Sequence, residues 1–267
     1  MWIYAVDGLF IQPQLVESML FPQGTRYSVM VQLNQTPGNY TMRVASSGLN
    51  QKVSGYGYIS YSTKGQYNKS QPPVAVQPFI DYGGSNTTAN VIAFNSALAA
   101  PLISNAPSPT VDVTHFLTLS RVLDAYVWAL NGSSFGPPLE LVTPLLFDPS
   151  SAISSLSITT KNGSWVDIVL MMSGLQPSHP IHKHSNKAYV IGQGLGPFSW
   201  SSTAEAMAAQ PESFNLVNPP VVDTFYTPAT LGTGSWMVVR YNGTFAHVSN
   251  KVKSSRNTVR ICIQSSY

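Results

Sequence analysis

The sequence predicts an all-β sandwich in two pieces, one incomplete and one nearly complete. Three observations carry that expectation. Charged residues make up only 9% of the 267-residue chain, against 19 Gly, 20 Pro, 13 Tyr and 11 Phe. Few charges with many turn formers and aromatics fit short strands joined by turns, not a helical bundle or a disordered chain. Hydrophobic alternation with the strand period of two recurs at 27–33 and 164–172 and again at 236–241. Turn signals, Asp7-Gly8, Pro37-Gly38 and Asn131-Gly132, punctuate these runs.

The same composition excludes several classes of function. A formal charge of +3 is small for this length and argues against a nucleic-acid partner. No apolar stretch approaches the roughly 20 residues needed to span a membrane as a helix. The single cysteine, Cys262, cannot close an internal disulfide. Asn34, Asn39, Asn68, Asn86, Asn131, Asn162 and Asn242 each begin an N-glycosylation sequon, which suits an exported, glycosylated lineage. Met1-Trp2-Ile3-Tyr4 nevertheless reads as an internal strand with no basic-then-apolar leader. The two together lead us to expect a chain whose original N-terminus is missing.

In order, Trp2 to Ala5, Asp7-Gly8 and Phe10-Ile11 read as strand, tight turn, strand. Further strands are expected at 27–33, 40–44 and 55–61. Residues 64–108 are rich in Gln, Asn, Ser, Pro and Ala with little periodicity, and are expected to link two pieces. Strand patterning resumes at 111–121, where the isolated His115 reads as an ordinary strand histidine. Trp128 to Gly132 is a hairpin candidate. Ser202-Thr203-Ala204-Glu205 is a capping box, Ala204 to Gln210 are good helix formers, and Pro211 ends the run, so one short surface helix is expected. Asn218-Pro219-Pro220 must be an extended turn, and Asp223 beyond it is a candidate hydrogen-bond partner for a backbone group or a histidine's second nitrogen.

The segment that points to chemistry is His179-Pro180-Ile181-His182-Lys183-His184, which holds three of the five histidines. It runs into Ala188-Tyr189-Val190-Ile191, so the histidines are expected to open a strand closed by Gly192. Alternation puts His182 and His184 on one face, rooted roughly 6–7 Å apart, while Ile181 and Lys183 point the other way. His179, three residues back and beyond a proline, leans to the second side. Such a pair suits two adjacent metal ions, or one metal and a neighbour, with a separate site for the third imidazole. Imidazole serves copper, zinc, iron and nickel alike, so the histidines do not name the ion.

The segment from His179 to Gly194, with Ser202 to Ala206, Phe214 to Pro220 and Asp223-Thr224, resembles the third-domain copper motif of the multicopper oxidases. It is most similar to fungal laccase-like enzymes of the pigment-associated type. The Asp-Gly, Arg-Tyr-Ser and Asn-Tyr elements near the start resemble the second half of that family's second domain. The resemblance implies a cupredoxin-like (plastocyanin-like) Greek-key β-sandwich. It places the end of the second domain at 1–63, a linker at 64–108, the third domain at 109–241 and a divergent tail at 242–267. It implies copper as the cofactor, with His179 a ligand of the type 1 ion, His182 of type 2 and His184 of type 3. The family's reaction oxidises phenolic or pigment-precursor substrates while dioxygen is reduced to water, outside the cell.

The family pattern breaks after Tyr241. A type 1 site takes a cysteine thiolate flanked by histidines, yet the chain continues Asn242-Gly243-Thr244-Phe245-Ala246-His247 with no His-Cys-His. His247 has no adjacent cysteine, and Cys262 has no adjacent histidine. The expectation is an inactive copper-binding piece of a laccase-like oxidase, with no catalytic side chain assigned. The alternative is a non-enzymatic cupredoxin-like module that binds metal weakly or associates with an intact oxidase. A histidine-metal hydrolase is disfavoured because no Asp or Glu lies between Asp167 and Glu205 to act as a base.

Overall fold

The structure is a computed structural model that describes residues 1–45, 54–61, 90–122, 127–133, 147, 158–184, 186–244 and 257–259. Two compact units emerge from it. One comprises Met1–Ile3, Pro13–Leu20 and Val29–Phe94, and the other Tyr4–Gln12, Phe21–Ser28 and Asn95–Tyr267.

Strands β1 (Trp2–Val6), β2 (Leu9–Leu15) and β3 (Tyr27–Met30) form a sheet in the order β2-β1-β3. Asp7 and Gly8 join the first two with φ of 51° and 79°. Two positive φ values define the turn whose twist matches a hairpin, and Asp-Gly adopts them at little cost. In the first unit, β4 (Gly38–Ala45) and β5 (Ser54–Tyr61) pair antiparallel throughout, from Gly38 opposite Tyr61 to Ala45 opposite Ser54. There the Glu17 carboxylate also accepts the Ile92 N–H at 3.0 Å. Of the expected linker, 62–89 lie outside the described residues; within 90–108, Ser96–Leu98 make one 3-10 turn capped by Asn95.

The second unit carries β6 (Val113–Val122), β7 (Val127–Leu130), β8 (Ile158–Thr160), β9 (Trp165–Gln176), β10 (Pro180–His182) and β11 (Ala188–Leu195). Helix α1 (Thr203–Ala209) follows, then β12 (Val221–Val222), β13 (Thr224–Tyr226), β14 (Thr230–Asn242) and β15 (Asn257–Val259). Six strands make one mixed sheet in the order β12-β11-β14-β9-β6-β7, with β6 and β9 parallel. At the end of β7, Asn131-Gly132 makes the expected tight turn, with φ of 49° and 79° and Leu130 and Ser133 exchanging hydrogen bonds. In the tail, where no pattern was expected, β15 pairs with β8. His247 and Cys262 lie outside the described residues.

β9 and β14 are the spine of this sheet, and both of its faces are covered. Val166, Ile168, Val169 and Leu170 are all buried, which is why the alternation that opens β9 passes into an apolar run. On one face Trp236 is stacked on Phe214 and meets Phe198 and Trp200 edge-on. Helix α1 serves the same face: Ser202 caps it by accepting the Glu205 N–H, and Thr203 and Ala206 are buried. The capping box is displaced by one residue, for the Glu205 carboxylate accepts the backbone N–H and the hydroxyl of Ser201.

The aromatic layer sits directly on glycine. A Cβ at Gly194 would come within 2.5 Å of the Trp236 ring, and one at Gly192 within 2.5 Å of Phe214. Gly194→Ala should therefore push Trp236 off its seat and destabilise the protein by about 1–3 kcal/mol, the usual cost of overpacking. Denaturant unfolding of the variant checks this.

One sequence expectation is corrected. The histidines do not open the strand that carries Tyr189 and Val190. β10 stops at His182 and pairs with β13, whereas β11 begins at Ala188 and joins the six-stranded sheet. Nor does Gly192 close β11, which continues to Leu195 through a bulge between Val190 and Gly192. Past His182 the Lys183 N–H still donates to the Asp223 carbonyl at 2.8 Å, which keeps this segment on β13, and the Lys183 side chain is buried.

Candidate metal centre

Strand β10 owes its position to Ile181, which is fully buried and lies opposite Phe225 of β13. With that side chain inward, alternation turns His182 the other way, and its imidazole stays about one-third exposed. His184 lies beyond the strand and is exposed, yet its ring centroid is 4.7 Å from that of His182, edge to face. The two imidazoles thus share one place even though only one is in a strand.

Between them Lys183 is buried, with its ammonium 4.3 Å from the centre of the Tyr241 ring. It donates to the carbonyls of His184 and Asn186 and to the Asn186 side chain. Those bonds tie the backbone of His184 and of Asn186 to one cation. Desolvation pushes the Lys183 ammonium down to about 8. Tyr241 is pushed up to about 12, also by burial.

His179 stands apart. Its ring lies 4.1 Å from that of Trp128, edge to face, and its Nε2 is 3.4 Å from Gln176 Oε1. Its backbone N–H donates to the Thr227 hydroxyl, and its carbonyl accepts from Thr227 N–H. The structure therefore brings His182 and His184 together and sets His179 against a tryptophan. His115 sits in β6 opposite Ile168, where burial lowers its pKa.

Beneath His182 lies a set of charges that sequence reasoning met only as Asp223. The Asp223 carboxylate accepts two hydrogen bonds from the Arg26 guanidinium, at 2.6 and 2.8 Å, and one from Lys187 at 3.0 Å. The Asp7 carboxylate accepts the backbone N–H groups of Arg26, Asp223 and Thr224 at 3.0, 3.1 and 3.0 Å. Lys187 also donates to the Asp7 carbonyl at 2.5 Å. Burial pushes the Asp223 carboxyl up, but its bonds to Arg26 and Lys187 outweigh that and hold it well below the usual carboxylate range. The signal available in the sequence was thin: Asp7 looks like a turn residue, and Arg26 and Lys187 look like surface cations.

The donors suit a borderline or soft ion. Neutral imidazole pairs serve copper, and His182 has one nitrogen engaged by protein, as metal-ligating histidines commonly do. Among the described residues, however, no group of three or more His, Cys, Asp or Glu is gathered closely enough to hold a metal. The pair fits copper as two ligands of a larger set.

Comparison with known proteins converges on one family. Two family models, both described as multicopper oxidase, match residues 1–64 and 120–249, together more than half of the chain. Laccase abr2 of Aspergillus fumigatus is 41% identical over 258 residues, covering 94% of this chain and 42% of its own length. Laccase-1 of Emericella nidulans is 38% identical, covering 90% of this chain and 43% of its own length. The chain thus spans about two-fifths of the length of these curated relatives. Among solved structures, Fet3p, a multicopper oxidase that functions in iron import, matches with a TM-score of 0.61 at 16% identity over 90% of this chain and 46% of its own. A laccase from Botrytis aclada matches with a TM-score of 0.57 at 20% identity over 90% of this chain and 42% of its own. At these identities the structural matches speak for the fold alone: a cupredoxin-like, Greek-key all-β architecture.

Proposed function

This chain belongs to the multicopper oxidase family, and on that premise we propose that it carries part of the copper-binding shell of a laccase-like oxidase. The observation that carries the reading is the His182–His184 pair, 4.7 Å between ring centroids, with His182 Nδ1 turned onto the Asp223 carbonyl. His182 and His184 would hold copper of the cluster at which dioxygen is reduced, and His179 would serve the separate ion that takes electrons from substrate. Copper, when bound, supplies the one-electron redox chemistry that joins oxidation of a phenolic substrate to reduction of dioxygen to water. The protein's part is orientation: β10 fixes His182, Lys183 curls the turn that returns His184 beside it, and Trp128 packs on His179.

The domain reading that goes with this takes 1–63 as the end of a second cupredoxin domain and 64–108 as a linker. Residues 109–241 are then the third domain and 242–267 a divergent tail. An exported, glycosylated setting follows from the sequons. Because no His-Cys-His follows Tyr241, the chain by itself is an inactive piece, or a metal-binding module that works beside an intact oxidase.

Copper(II) titration by calorimetry tests the assignment. His182→Ala and His184→Ala should each weaken binding by about tenfold or more, since even indirect partners of a metal are commonly worth that much. His179→Ala should change it little. Equal losses in all three variants would mean a flexible, tag-like cluster and would end this reading. The copper-loaded chain should also lack the intense visible band of a copper–thiolate bond, since no thiolate adjoins a histidine in the sequence.

A further inference from the structure

We propose that Asp223, clamped by Arg26, Lys187 and Asp7, is a positioning residue that decides which nitrogen His182 presents to a ligand. The proposal rests on the reading of His182 as a metal ligand and adds the atom and the device that selects it. His182 Nδ1 lies 3.0 Å from the Asp223 carbonyl oxygen and 3.1 Å from the Thr224 hydroxyl. A carbonyl can only accept, so Nδ1 must carry the proton and donate. The Thr224 hydroxyl lies 3.2 Å from Asp223 Oδ1 and 3.4 Å from the Gly24 carbonyl. Both are acceptors, so the hydroxyl spends its one proton on them and offers a lone pair to Nδ1. The polarity of the network therefore runs one way, from imidazole to carboxylate. In a neutral ring that leaves Nε2 with the free lone pair.

The carboxylate does not bond the ring itself, since Oδ1 is 3.6 Å from Nδ1, beyond hydrogen-bond reach. Its work is to hold the carbonyl and hydroxyl in register. Arg26 grips it with two parallel bonds, a geometry that fixes orientation as well as distance. Asp7 holds the Asp223 and Thr224 N–H groups from the opposite side, and its side chain is fully buried. Asp7 and Arg26 both lie within the match at 1–64, whereas His182 lies within that at 120–249. The nitrogen offered by the histidine motif is thus set by residues more than 150 positions away in the chain.

The test is carried out on the full chain without metal, labelled with nitrogen-15 at histidine, at about pH 8, where an ordinary imidazole is neutral. Long-range proton–nitrogen correlation should show His182 as a single tautomer, protonated at Nδ1. Asp223→Ala, and Arg26→Gln combined with Lys187→Gln, should turn that signal into a mixture of both tautomers. Calorimetry should then show copper(II) affinity falling by about tenfold or more, as for other supports of a metal ligand. Thr224→Val leaves every charge in place and should give a smaller shift of the same sign. An unchanged His182 tautomer in Asp223→Ala overturns the proposal; should that variant not fold, the same result in the near-isosteric Asp223→Asn overturns it equally. Because the tautomer is read without metal, a wild-type chain that takes up no copper would refute the metal reading and leave this one to be decided by the nitrogen signals.

Discussion

Replacing Asp167 with alanine should destabilise the protein by about 3–5 kcal/mol, the cost of leaving a buried charge without its partner. Asp167 on β9 lies directly across from Arg240 on β14, and both side chains are fully buried. Two hydrogen bonds join them, Arg240 Nε to Asp167 Oδ1 at 2.6 Å and Arg240 Nη2 to Oδ2 at 2.7 Å. The remaining needs are met nearby: Arg240 Nη1 donates to the Ser108 carbonyl at 2.6 Å, and the Thr203 hydroxyl donates to Asp167 Oδ2 at 2.5 Å. Removing the carboxylate strands a guanidinium that cannot shed its proton. It also leaves the Thr203 hydroxyl without its acceptor. Guanidinium unfolding should show the loss, and a double variant, Asp167→Leu with Arg240→Met, should recover most of it. A buried ion pair and a well-packed apolar pair are often close in free energy. If Asp167→Ala unfolds at the wild-type midpoint, the pair contributes nothing.

Trp236→Ala should cost a similar amount, about 3–5 kcal/mol, through lost burial and the cavity left behind. Trp236 is the largest side chain that is fully buried among the described residues. Its ring lies above Gly194, is stacked on Phe214 at 5.4 Å, and meets Phe198 and Trp200 at 5.3 and 5.9 Å. These partners sit on loop segments flanking α1, so losing the ring loosens the segment that brings Thr203 to Asp167. Collapse is opposed from below, because the sheet backbone at Gly194 cannot rise to fill the space. Trp236→Phe keeps an aromatic disc and should lose markedly less. Equal midpoints for the alanine variant and the wild type would show that the layer repacks freely.

Much of this was legible in the chain because it depends on near neighbours. Asp7-Gly8 and Asn131-Gly132 adopt left-handed conformations that few other dipeptides accept, so their turns could be read directly. Ser202 and Pro211 bound α1 by backbone chemistry that needs no tertiary partner. The patterning at 164–172 and 236–241 announced strands, the first of them running apolar as a buried strand does. Asp167 and Arg240 each interrupt one of these stretches, and only strand register shows that they meet.

Composition, alternation and turn signals along the chain determined that the fold would be all-β, and the pattern His179-Pro-x-His-x-His pointed to two imidazoles together and a third apart. Tertiary structure decided how. Alternation along a strand would have put His182 and His184 on one face, yet β10 ends at His182, and His184 returns because Lys183 is buried and hydrogen-bonded within the turn. It also decided what stands behind the histidine. Asp7, Arg26, Lys187 and Asp223 meet only when β10 pairs with β13 and the Asp7 turn packs against them. Charges far apart in sequence have no local signature: their free energy depends on a distance and a burial that only the folded chain defines.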